Sequence, residues 1–217
     1  MCLLYMDSVR LICLLFIFSS TTAIGQVEYE QDLKFAANNA SRSLIAVGIA
    51  DINGDKRDDI IRVKDGKDLE ILYVDDHGDI NTVNNQTLDY SDTWSLAIAN
   101  LTNDLRNEIV VSRAFDDSYI LKTASDQSIE QFQLVANEAY SQSTSIADID
   151  NDGWLDVFVA SDDSRSTILK NDGTGHLIID DTLIDLATEI PSDNSGNYGS
   201  EWTDIDSYGS GFIHLKM

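Results

Sequence analysis

The chain has 217 residues, and 38 acidic against 14 basic side chains give it a formal net charge of −24. A surface that negative repels nucleic acid and anionic lipid, which excludes partners of both classes. Apolar residues make up 43% of the chain and fall in strand-length runs, which excludes a disordered polyelectrolyte.

Residues 1–25 read as a secretory signal peptide, so the protein is expected to be secreted or displayed at the cell surface. Arg10 charges the leading region, Leu11 to Phe18 form the apolar stretch, and Ala23 and Gly25 suit a cleavage site. The apolar stretch is shorter than the roughly 20 residues a bilayer requires, so the mature chain is expected to lack a membrane span. A segment retained as an anchor is the alternative. Cys2 and Cys13 both lie here. A chain starting at residue 26 therefore has no disulfide framework and needs another staple.

Val27 to Ala36 is expected to be a lone outer strand. Strands are then expected near 44–50, 59–64, 68–74 and 79–83, where apolar, β-branched runs alternate with turn residues. A second set is expected near 94–99, 108–113, 118–123 and 128–135, and a third near 143–148, 156–161, 166–170 and 176–180. Lys64-Asp65-Gly66-Lys67, Asp76-His77-Gly78-Asp79 and Asn171-Asp172-Gly173 mark turns. The single proline, Pro191, lies in a polar connection, Glu189 to Gly199.

Three stretches between the first two strands of each set repeat at a period of about 50 residues, the signature of a solenoid, propeller or array. Each places oxygen-bearing side chains at positions 1, 3, 5 and 9 of a nine-residue loop. The first offers Asp51, Asn53, Asp55 and Asp59 with the carbonyl of Arg57. The second offers Asn100, Thr102, Asp104 and Glu108 with the carbonyl of Arg106. The third offers Asp148, Asp150, Asp152 and Asp156 with the carbonyl of Trp154. Alternating oxygens on a tight loop suit calcium, which takes six to eight oxygen ligands in a flexible shell. Magnesium demands a stricter octahedron, and no Cys or His lies in any loop to favour a transition metal. The second loop carries less charge and is expected to bind more weakly. An EF-hand is excluded: position 12 is Arg62 in the first copy and Val159 in the third, and the flanks are strands.

The residues 51–59 and 148–156, together with Leu169-Lys170-Asn171-Asp172-Gly173-Thr174-Gly175, resemble the FG-GAP/VCBS repeat. That family is known from the integrin α-subunit propeller and from secreted bacterial proteins. The resemblance covers nearly all of the chain after residue 25. It implies an all-β fold of four-stranded β-propeller blades, with calcium in the first hairpin of each. Asn100 and Thr102 depart from the pattern.

A fourth copy starts at Trp202-Thr203-Asp204-Ile205-Asp206. It fails as a metal site, because Tyr208 and Phe212 take positions 5 and 9, and Phe212 to Leu215 would be its return strand. The expectation is about three and a half blades, an incomplete propeller belonging to a fragment or truncated product. Its open faces would invite self-association.

Catalytic motifs are not evident. His77 and His176 lie in turns and His214 in the last strand. No nucleophile elbow, zinc-protease helix or phosphate loop occurs. Trp94, Trp154 and Trp202 offer either a carbohydrate platform or ordinary packing between blades. The leading reading is a non-catalytic, calcium-binding module for protein or glycan ligands. The alternative is the repeat portion of an extracellular polysaccharide-acting enzyme.

Overall fold

A computed structural model describes residues 43–64, 67–87, 93–114, 117–136, 140–180, 182–184, 198–203 and 212–216. The expected signal peptide, the strand at Val27 to Ala36, most of the Glu189 to Gly199 connection and the loop of the fourth copy lie outside these residues.

The described residues are all-β, in consecutive antiparallel meanders. The first sheet holds β1 (Ser43–Ala50), β2 (Asp59–Lys64), β3 (Asp68–Val74) and β4 (Ile80–Thr87). The second holds β5 (Thr93–Ala99), β6 (Glu108–Arg113), β7 (Ser118–Thr123) and β8 (Ile129–Val135). The third holds β9 (Ser141–Ala147), β10 (Asp156–Ser161), β11 (Thr167–Asn171) and β12 (Leu177–Ile179). A hairpin follows, β13 (Gly199–Thr203) paired with β14 (Phe212–Lys216). The strands expected within the described residues form, with ends shifted by a few residues.

The second strand of each meander explains how the sheets stack. β6 and β10 are buried along their whole length. Their β-branched residues alternate between two interfaces, because successive side chains of a strand point to opposite faces. Ile109 and Val111 pack with Leu121 against Ile61, Val63 and Ile71 of the first sheet. Val110, between them, faces the other way and joins Ile120 against Val157, Val159 and Leu169 of the third sheet. Phe158, Ala160 and Ile168 form the far face of the third sheet, against Trp202 of the hairpin. Each fully buried Val, Leu or Ile contributes about 1.5–3 kcal/mol, so these three apolar layers are what holds neighbouring sheets together.

The first strands lie side by side, β1 next to β5, β5 next to β9 and β9 next to β13. Gly48 of β1 lies against the Leu96 and Ile98 side chains of β5, whereas β9 makes polar contacts with β5 and β13. Ser95 and Thr144 hydroxyls are 2.5 Å apart, Thr144 donates to Ser112 at 2.8 Å, and Ser145 and Ser200 hydroxyls are 2.7 Å apart. Trp94 donates its indole N–H to Gln142 at 2.8 Å. Among the described residues no helix is long and apolar enough to cross a membrane.

Candidate cation-binding loops

All three nine-residue loops sit at one corner of the meander, between its first and second strands: 51–59 joins β1 to β2, 100–108 joins β5 to β6, and 148–156 joins β9 to β10. The backbone turns in each at position 4, in the left-handed region, at Gly54 (φ 81°), Asn103 (φ 56°) and Asn151 (φ 59°). Glycine and asparagine are the residues that tolerate it.

Position 2 anchors each loop. Ile52 and Leu101 are fully buried and pack into the next sheet's apolar layer, and Ile149 packs against Phe158. Position 9 anchors it from the other side. Asp59 is fully buried and accepts the Ile52 and Val74 N–H groups, both at 3.1 Å. Asp156 repeats this with Ile149 (3.0 Å) and Asn171 (2.8 Å). Burial is the largest influence on both carboxyls and raises them above the ordinary aspartate range, against the lowering effect of the N–H groups. Glu108, one methylene longer, accepts Leu101 N–H (2.8 Å), Thr102 N–H (3.1 Å) and the Thr102 hydroxyl (3.0 Å).

The other positions differ between copies. In the first loop Asp51 accepts Gly54, Asp55 and Lys56 N–H groups at 2.7, 3.1 and 2.7 Å. Asn53 accepts Asp55 N–H (2.9 Å), and Arg57 clasps Asp55 through Nη2 at 2.9 Å. In the second loop Asn100 donates to the Asp104 carbonyl, and Asp104 accepts Arg106 N–H at 2.7 Å. Asn100 Oδ1 is shut off from solvent and accepts no hydrogen bond. In the third loop Asp148 accepts Asp152 and Gly153 N–H groups (3.0 and 2.9 Å), Asp150 accepts Asp152 N–H (3.2 Å), and Asp152 accepts Trp154 N–H (3.0 Å).

Asp148, Asp150 and Asp156 bring one carboxylate oxygen each to within 4.8 Å of one another. Two ligands of one calcium ion, each about 2.3–2.6 Å from it, can be no farther apart than about 5 Å, so this spacing fits a single cation. Among the described residues it is the one such acidic group. The orphan Asn100 oxygen gives the second loop a separate point of fit, since a buried acceptor without a partner is costly.

Position 7 offers its carbonyl to the loop, and the side chains there also act. Arg106 Nη1 donates to the Thr123 carbonyl at 3.0 Å and Arg57 Nε to the Val74 carbonyl at 3.4 Å, both at the end of the third strand. Trp154 lies against Gly173 in the matching turn. Trp94 packs on Tyr140 with ring centres 5.8 Å apart, and Trp202 meets Phe158 edge-on at 6.3 Å. The three tryptophans belong to the second sheet, the third loop and the final hairpin, and each has its own packing partner.

Three further contributors have no local signal in the sequence. Thr123 and Asn171, 48 residues apart, each cross to the preceding sheet. The Thr123 hydroxyl donates to the Ile52 carbonyl at 3.0 Å, and Asn171 Nδ2 to the Leu101 carbonyl at 2.8 Å. The signal was their shared place in the repeat. The third is Lys170, whose ammonium bonds to Asp150 and, at 2.8 Å, to Asp152. Asp150, then Asp152, hold this ammonium well above the ordinary lysine value. The Lys170 hydrogen bond leads the influences that lower Asp152.

No family model matches the sequence, and no curated protein matches it. Among solved structures the fold is similar to BBS1N, from a crystal structure of BBS1N in complex with ARL6DN, soaked with lead. The TM-score is 0.52 at 12% identity, over 76% of this chain and 48% of that one. The chain thus spans about half the length of this propeller-like neighbour. At that identity the likeness concerns the fold alone.

Proposed function

We propose that residues 26–217 form three and a half blades of a β-propeller of the FG-GAP/VCBS kind, secreted through the segment 1–25. In this reading the nine-residue loops hold calcium, and the array is a scaffold for binding or adhesion to protein or glycan. One observation carries it: the same loop recurs at the same corner of three stacked sheets, and its most acidic copy gathers Asp148, Asp150 and Asp156 within 4.8 Å. The propeller-like neighbour supports the blade reading.

Calcium at these loops would neutralise part of the net charge of −24 and stiffen the edge on which ligand contacts are built. The chain's own residues do the rest. Position 2 and position 9 fix each loop to the sheet stack, and position 4 sets its turn. The outer face of the first sheet is also available for association with another copy or another protein. On the first sheet Val47 and Ile49 are 51% and 67% exposed, whereas Leu96 and Ile98, their counterparts in the second, pack into an interface.

The test is an immobilised 26–217 chain screened against glycan and protein arrays in calcium and again in chelator. The reading expects ligands whose capture fails in chelator. Capture indifferent to chelator removes calcium from the account, and turnover of a polysaccharide favours the enzyme.

A further inference from the structure

Lys170 stands near the end of β11, and its side chain is 22% exposed. Its ammonium bonds to one oxygen each of Asp150 and Asp152, whose side chains are 28% and 36% exposed. Asp150 also belongs to the trio gathered within 4.8 Å. One carboxylate thus serves both the tethered ammonium and the place where a cation would sit.

The other two sheets differ at this position. The counterpart of Lys170 in β3 is Tyr73, neutral at ordinary pH, and in β7 it is Lys122. Lys122 sits 4.0 Å from the centre of the Phe132 ring and 3.9 Å from Glu108, the ninth residue of its loop. Asp55 of the first loop is held by Arg57 from within the loop itself. Among the described residues, only the third loop has a lysine from the third strand bonded to its positions 3 and 5.

We propose that Lys170 is a built-in counter-ion of the third loop, one that calcium must displace to reach Asp150. This rests on the calcium reading above and deepens it for one site. Without metal, Asp148, Asp150, Asp152 and Asp156 would face one another as like charges, and the ammonium offsets that repulsion and holds the loop in its bound shape. When calcium arrives, an ammonium in contact with the same carboxylate repels the dication. Lys170 then swings off the loop toward solvent, which its long flexible stem allows. The third loop, the most acidic of the three, is therefore restrained: it binds calcium more weakly than its charge alone would give.

Two measurements test this. The first compares wild type with Lys170→Met by calcium calorimetry and by terbium luminescence excited through tryptophan. Trp154 is in the third loop, whereas Arg57 and Arg106 occupy its place in the others. Removing the ammonium is expected to tighten the third site on the order of tenfold. The second uses the unaltered protein: amine labelling read by mass spectrometry is expected to speed up at Lys170 on adding calcium, with Lys122 as reference. Because Lys122 touches Glu108 of the second loop, Lys64, at the end of β2 away from loop 51–59, serves as a further reference. This decides the matter even where the variant does not fold. Calcium heat in wild type with unchanged labelling, or equal or weaker affinity in the variant, overturns the role of Lys170 and leaves the calcium reading standing. No heat and no luminescence from either protein overturns both.

Discussion

Asn171, the last residue of β11, donates its side-chain N–H to the Leu101 carbonyl at 2.8 Å, across the boundary between the third and second sheets. It is 1% exposed. It also donates to Leu155 O at 3.1 Å and accepts Gly173 and Gly175 N–H groups, both at 3.0 Å. One side chain thereby ties the backbone of loop 100–108, its own loop and its own turn together.

Asn171→Ala is expected to strand several of these groups in a dry site, at a cost of about 3 kcal/mol. Thr123→Val removes only the hydroxyl's bond to Ile52 O and is expected to cost about 1 kcal/mol. Urea unfolding of the two variants checks the order. Equal losses would mean that Asn171 acts as no more than a turn residue.

Gly175 and Gly78 occupy the same turn position with φ near +89° and +78°. A Cβ on Gly175 would overlap Thr102 Cγ2 in the second loop, while Gly78 has open space. Gly78→Ala is expected to cost about 1–2 kcal/mol for the left-handed backbone alone. Gly175→Ala adds overpacking of about 1–3 kcal/mol and should disturb the second loop. Thermal melts give the first difference, and a changed Thr102 methyl resonance gives the second.

The Asp172 carboxyl lies below the ordinary aspartate value, first because the Thr174 hydroxyl donates to it at 2.6 Å and then because Thr174 N–H does at 2.8 Å. A folded value below the unfolded one gives stability that is present above the unfolded value and lost as pH falls through the folded one. Thr174→Ala should raise the Asp172 midpoint toward the ordinary value and shrink this acid-sensitive part. A carboxyl titration by NMR reads the shift directly, and an unmoved midpoint would contradict the assignment.

Much of this was legible in the sequence, for local reasons. Runs such as Ile109-Val110-Val111 and Val157-Phe158-Val159 bury both faces of a strand. Asp75 accepting His77 and Asp79 N–H groups at 2.9 Å is turn chemistry written within five residues. The loops were legible because their anchors recur at fixed spacing. The contacts between sheets were not. The partners of Thr123 and Asn171 lie 71 and 70 residues away, so no local pattern shows which side chain of a turn reaches across. Lys170 was hidden in the same way. It reads as one polar residue of a strand, and only the stacking of β11 beside loop 148–156 shows that its ammonium meets Asp150 and Asp152.

The central claim is that these loops hold calcium. Titration calorimetry of calcium into the 26–217 chain tests it most directly, with Asp148→Asn as the paired variant. The account predicts heat from at least two sites in wild type, loss of one of them in the variant, and stabilisation of wild type by about 2.7 kcal/mol when calcium exceeds the dissociation constant a hundredfold. Absence of heat at millimolar calcium would contradict it.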